Sequence, residues 1–346
     1  MRVADLRGKK MKKSWYGIRV VALISIILYL VSGGAWASHK NQNRSHIADG
    51  GGSRYFYITN ATSNDLSMVD LSTQEVVKSV KVGKRPLGVA TTPDGRYALV
   101  SNFDSDSVSV VDLSTFKVVK TIEVRKAPDG TAISPDGRYA YVANSDSDDI
   151  SIIDTKRWKT IKTVPVGKSP DGIAFTKDGK FAYVTNCDSN DVSVINTETM
   201  KVEINIGVGV VPEGIVITTD GRRAYVANNI SNDVSVINLA TRTVVKTIPV
   251  GMAPAGVTLS SDGRHVYVAN EKDNTLSVID TATDTVVRVI STEGDFPVDV
   301  LFTPDGKYAY ISHRDSSSVT ILDIKTDKVV KFLELGVPLQ EGVAKR

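Results

Sequence analysis

From Asn60 onward the sequence returns to asparagine every 42 residues, at Asn102, Asn144, Asn186, Asn228 and Asn270. His313 takes the seventh place 43 residues on, the extra residue lying in the stretch Glu293-Gly294-Asp295-Phe296. A fixed period of this length means one supersecondary unit built many times over, and it constrains the fold before any single residue does.

Each period holds four short alternating segments separated by turn chemistry; in the third unit they are 139–144, 150–154, 160–166 and 172–176. Stretches such as Val192-Ser193-Val194-Ile195 and Tyr225-Val226-Ala227 carry the period-two alternation and the β-branched and aromatic residues of strands. Between the fourth segment and the next unit stands Pro93-Asp94-Gly95, Pro135-Asp136-Gly137, Lys177-Asp178-Gly179 or Pro304-Asp305-Gly306. Proline presets the first turn position, aspartate tolerates the second, and glycine supplies a positive φ. No helical period occurs within the unit. Four antiparallel strands per ~40 residues, repeated, make an all-β fold of propeller blades, here seven. The first unit lacks a preceding Gly-Val-Ala strand, whereas the last ends on a surplus one, Gly342-Val343-Ala344. The expectation is a ring closed by the C-terminal strand pairing into the first blade, covering both edges.

Tyr183-Val184-Thr185-Asn186, with its variants Tyr141-Val142-Ala143-Asn144, Tyr225-Val226-Ala227-Asn228 and Tyr267-Val268-Ala269-Asn270, resembles the YVTN-type β-propeller repeat across residues 54–346. The resemblance is specific for architecture and weak for function, since a residue present in every blade usually serves the blade. It implies a periplasmic or cell-surface binding or scaffold module. The family is also similar to related rings: a branch associated with single-stranded DNA binding, lactonases, streptogramin lyases, the haem d1 domain of nitrite reductase and the heavy subunit of quinone-dependent amine dehydrogenases.

Residues 1–37 read as a secretory signal. Seven bases and one acid precede an apolar run of about a dozen residues, Val20 to Val31, which is followed by Ala35-Trp36-Ala37. Cleavage is expected after Ala37, and 38–53, polar with Gly50-Gly51-Gly52, reads as a flexible leader. The whole chain has 42 bases and 39 acids. Without the signal 35 and 38 remain, so the positive balance belongs to export and argues little for nucleic acid. The expected location is periplasmic or secreted, the expected state a monomer without a membrane span. A single cysteine, Cys187, excludes a disulfide framework and any multi-cysteine metal centre.

Function is expected where the units disagree. The loop leading into the innermost strand lines one mouth of the central channel, where propeller ligands bind. Just after its proline the units read Leu87, Asp129, Asp171, Glu213, Ala255 and Val298, with Glu341 before the final glycine and Asp299 in place of a glycine. Lys84, Arg85, Lys126 and Lys168 stand slightly ahead. Converging carboxylates repel one another unless a cation or these bases compensate, which points to a mouth for a cation or a cationic group. His313, where six units have asparagine, is the lone candidate ligand or general base, or else a substituted turn residue. Cys187 falls in a slot that varies from unit to unit and reads as incidental. Phe103 and Trp158 are the aromatics available for stacking a base. No cofactor is evident; a divalent cation is the one candidate.

The expected function is recognition of an envelope protein or a small ligand at the channel mouth, without catalysis. The alternatives are a metal-dependent lactonase-like or a lyase-like enzyme, and single-stranded DNA binding.

Overall fold

The computed structural model describes residues 47–49, 54–314 and 318–335. Blade one consists of β1 (Ile47–Asp49), β2 (Tyr55–Asn60), β3 (Asp65–Asp70) and β4 (Glu75–Lys81), hydrogen-bonded in that order. Six more four-stranded antiparallel sheets follow, their inner strands being Pro86–Thr91, Pro128–Ile133, Pro170–Phe175, Pro212–Ile217, Pro254–Leu259 and Pro297–Phe302. The result is the expected seven-bladed propeller.

The hairpins between first and second strands form as their residues dictate. Gly95 adopts φ 67°, and Asp94 Oδ1 accepts from the Thr92 hydroxyl at 2.6 Å and the Arg96 amide at 3.1 Å. These bonds to its charged form hold Asp94 below the ordinary carboxylate range.

The middle two strands are buried on both faces because a blade packs against neighbours on each side. Alternation here does not separate core from solvent. It separates apolar side chains from small polar ones that are buried and bonded to one another through their donors: Asn144 Nδ2 donates to Asp149 Oδ1 at 2.8 Å and to Ser151 Oγ at 2.9 Å. The same amide-to-serine bond recurs at Asn102, Asn186, Asn228 and Asn270. The asparagine series thus ties the second strand to the third. Apolar clusters fill each blade-to-blade junction, with Tyr141, Tyr183, Tyr225, Tyr267 and Tyr310 at most 1% exposed within them.

At the seam, Phe56 of blade one meets Tyr310 of blade seven edge to face, centroids 5.0 Å apart. Lys331 Nζ donates to the Gln74 carbonyl across the same junction at 2.6 Å. The innermost place of blade one, beside β2, is held by Ile47–Asp49. That strand comes from the segment expected to be a leader, and Ala48 is buried. The reason is register: Ile47-Ala48 stand 42 residues before Val89-Ala90, so the repeat begins before Arg54, its hairpin proline and aspartate replaced by Gly51 and Gly52. The strand 342–344 and the N-terminal segment 1–37 lie outside the described residues.

Candidate functional site at the channel mouth

Each inner strand begins at its proline, beside the end of its blade's second strand. One end of the ring therefore carries both the residue after the proline and the residue after the asparagine. Backbone contacts between blades set the first of these. The Thr185 hydroxyl donates to the Glu213 carbonyl of the next blade at 2.6 Å, and the Ser101 hydroxyl to the Asp129 carbonyl. The inner strands approach so closely that a Cβ on Gly130 would lie 2.0 Å from the Asp171 carbonyl oxygen. A Cβ does not fit there, whereas the equivalent position of blade seven, whose inner strand borders the short β1, holds Asp299.

The structure brings Asp129, Asp171 and Glu213 to one mouth from three consecutive blades. Asp171 is 9% and Glu213 3% exposed, while Asp129 is half-buried with its Oδ1 shielded from solvent and lacking a hydrogen-bond partner. Asp171, Glu213 and Asp299 line a narrow channel cavity of ≈ 190 Å³ together with the inner-strand glycines. Lys84, Lys126 and Lys168 are exposed on the loops ahead, where their amides donate to Ser105, Ser147 and Ser189. Arg85 lies over the Phe103 ring, 4.4 Å from its centroid, and reaches Asp104 at 3.4 Å. That contact covers Phe103, which is 8% exposed and unavailable as a stacking platform. Glu341 lies outside the described residues.

His313 is not presented to the mouth. It is fully buried, with Nδ1 3.0 Å from the Asp295 carbonyl and Nε2 2.7 Å from the Thr320 hydroxyl. A carbonyl only accepts, so Nδ1 carries the proton and Nε2 accepts from Thr320. The imidazole thereby takes the place of the asparagine amide of the other blades, Thr320 takes the place of its serine partner, and the bond between them runs in the opposite direction. Burial pushes its pKa down, keeping it neutral. Gly294 packs against it so closely that a Cβ there would lie 2.5 Å from His313 Cε1, as Gly83 packs against Asn102 in blade two.

The slot after the asparagine, which the sequence presents as a variable loop, is buried at the same mouth and holds Phe103, Ser145, Cys187, Asn229, Glu271 and Arg314. Arg314 of blade seven pairs with Glu271 of blade six, both nearly inaccessible. The Cys187 thiol donates to the Pro212 carbonyl at 3.0 Å and lies 4.0 Å from Asp171 Oδ2. Sequence reasoning missed Glu271 and Arg314; the signal was their opposite charge in adjacent units at one slot.

The acidic loops 104–106 and 146–149 serve the ring. Asp106 and Asp148 accept the Ala127 and Ser169 amides of the following blade at 2.9 and 2.8 Å, as Asn190 and Asn232 do for theirs. Among the described residues no three His, Cys, Asp or Glu side chains converge as a metal site, and no helix is long and apolar enough to cross a membrane.

A family model described as a YNCE-like beta-propeller matches residues 37–223, and one described as Lactonase, 7-bladed beta-propeller, matches residues 196–343. No curated protein matches the chain. Among solved structures the chain is similar to Kuenenia stuttgartiensis hydrazine synthase, at 24% identity and TM-score 0.71 over 83% of this chain and 94% of that one. It is similar to a functionally unknown protein from Desulfotomaculum acetoxidans DSM 771, at 19% identity and TM-score 0.72 over 81% and 95%. A third similarity, to dihydro-heme d1 dehydrogenase NirN in complex with DHE, has 21% identity and TM-score 0.64 over 84% and 66%. At these identities the likeness is one of fold.

Proposed function

The chain belongs to the YNCE-like β-propeller family, and from that premise we propose that it is an exported binding module whose acidic channel mouth receives a cationic group of an envelope protein or small ligand. The observation that carries this reading is the carboxylate arc Asp129–Asp171–Glu213, with the shielded Asp129 Oδ1 lacking a protein donor. A buried acceptor without a donor is costly, and a ligand ammonium or guanidinium supplies what it lacks. Export rests on the basic, apolar and Ala35-Trp36-Ala37 order of the first 37 residues. The YVTN-like spelling of the repeat supports the same envelope setting.

The lactonase match over residues 196–343 supports a second reading, metal-dependent hydrolysis. The donor set does not fit it: Glu271 is committed to Arg314, His313 to Thr320 and Asp295, and no metal-sized cluster forms among the described residues. Binding is the better-supported function.

Calorimetric titration with a lysine-rich peptide and with Ca²⁺ tests the proposal. The wild-type chain should bind the peptide more tightly than the triple variant Asp129→Asn, Asp171→Asn, Glu213→Gln, by tenfold or more. Equal binding by a folded triple variant rejects the mouth as the site; turnover of a lactone that depends on added metal would favour the second reading.

A further inference from the structure

At the end of the ring opposite the acidic mouth, two departures from the repeat fall at one junction between blades. The buried aromatic of the second strand is Tyr57, Tyr141, Tyr183, Tyr225, Tyr267 and Tyr310 in six blades, and Leu99 in blade two. Its neighbour is the left-handed turn residue between the third and fourth strands of the following blade, a slot holding Gln74, Phe116, Trp158, Met200, Arg242, Asp284 and Asp327 with φ of 51–55°. At three other junctions the two meet directly or through a shared partner. Phe116 stacks on Tyr57 with centroids 6.2 Å apart, the Tyr225 hydroxyl donates to Asp284, and Arg288 links Asp327 to the Tyr267 hydroxyl. At the junction of blades two and three the pair is Leu99 and Trp158.

With no phenol beneath it, Trp158 meets Tyr97 edge to face, centroids 5.1 Å apart at 73°, and stays half-buried. Beside it opens a cavity of ≈ 830 Å³, walled by the first hairpins of blades two and three and by Thr155, Lys156 and Trp158. That volume lies in the range of small-molecule sites. Arg96, Arg138 and Lys156 ring it, exposed and without an ion pair among the described residues. The wall's two acids are engaged by their own hairpins: Asp94 by Thr92 and the Arg96 amide, Asp136 by Ser134 at 2.6 Å and the Arg138 amide at 3.0 Å. The cleft therefore combines an aromatic floor with three cations facing two acids already solvated by protein donors.

We propose that this cleft binds a small planar aromatic anion, its ring against Trp158 and Tyr97 and its carboxylate or phosphate held by Arg96, Arg138 and Lys156. A basic residue at the Arg96 position is common to the hairpins (Arg138, Lys180, Arg222, Arg264, Lys307). What is special here is two arginines flanking an accessible tryptophan. Stacking on an aromatic face and charge-assisted bonds from guanidinium groups are the two strong contributions such a ligand would draw on.

Titration calorimetry of the full chain tests this with 2-naphthoate and 2-naphthyl phosphate, against 2-naphthol (ring without charge) and inorganic phosphate (charge without ring). Either or both naphthyl anions should bind, the tighter one identifying the head group, and the two single-feature probes should bind at least tenfold more weakly. Arg138→Gln and Trp158→Leu should each weaken binding fivefold or more, and Arg222→Gln, the matching hairpin arginine of blade five, less than twofold. Because Arg138 is exposed, its variant keeps the test decisive if Trp158→Leu does not fold. Failure of both anions to bind, equal binding of 2-naphthol, or unchanged binding in Arg138→Gln overturns the proposal.

Discussion

Arg314 and Glu271 form an ion pair between blades seven and six, with side-chain exposures of 9% and 2%. Such a pair repays desolvation only while both partners are present. Arg314→Ala strands the carboxylate and should cost about 3–5 kcal/mol of stability. The double variant Arg314→Met, Glu271→Leu should recover most of that loss. Denaturant unfolding of the three proteins checks the cycle; a single variant as stable as the wild type would mean the pair is solvated.

His313 makes the stability depend on pH near neutrality. Its pKa is lowered in the fold by burial from an ordinary value of 6.5, so below that value the unfolded chain takes up a proton that the folded chain refuses. Stability is full above pH 6.5 and falls as the pH drops from there toward the folded pKa. His313→Asn restores the residue of the other six blades, and its melting temperature should be flatter than that of the wild type between pH 7 and 5. Parallel profiles would show that the imidazole is free to protonate in place.

The hairpin carboxylates act at lower pH. Asp94, Asp136, Asp178, Asp220, Asp262 and Asp305 are each held below the ordinary carboxylate range, chiefly by a Ser or Thr hydroxyl. Their contribution is present above the unfolded value of 3.8 and is lost as the pH falls below it. Thr218→Val should move the acid-unfolding midpoint upward, which a circular-dichroism titration would detect.

Gly130→Ala places a methyl group 2.0 Å from the Asp171 carbonyl position. The inner strands of blades three and four must separate, at about 1–3 kcal/mol for overpacking of this kind. Gly221→Ala has open space around its Cβ but a φ of 68°, so its cost comes from backbone strain alone. Comparing the two melting curves separates close approach from conformation.

Removing residues 1–53 takes away β1 and bares the inner edge of β2. The truncated chain should melt at a lower temperature and self-associate through that edge, visible by light scattering. Full retention of stability would show that another strand fills the place.

Much of the architecture was legible because a 42-residue period and the Pro-Asp-Gly hairpins each have few physical solutions. The carboxylates Asp129, Asp171 and Glu213 were legible as departures at a known slot. Glu271, Arg314 and Cys187 were passed over because a residue following a strand end looks like loop, and only the neighbouring blade buries it. His313 was legible as an exception but not as a buried one, since Thr320 and Asp295 become its partners only when the sheet and the lengthened loop close around it. Ile47–Asp49 escaped notice because glycines replace the hairpin signature that marks the other inner strands.

The sequence by itself determined the unit, its number and its turns, for these follow from local alternation, β-propensity and the φ preferences of proline, aspartate and glycine. The tertiary structure decided what each departure from the unit means. A side chain's face within a strand is a local property, but its burial and its partners belong to the next blade, 42 or more residues away. That is why Asp129 reaches a shared mouth, His313 is sealed inside, and Trp158, opposite Leu99, is left beside an open cleft.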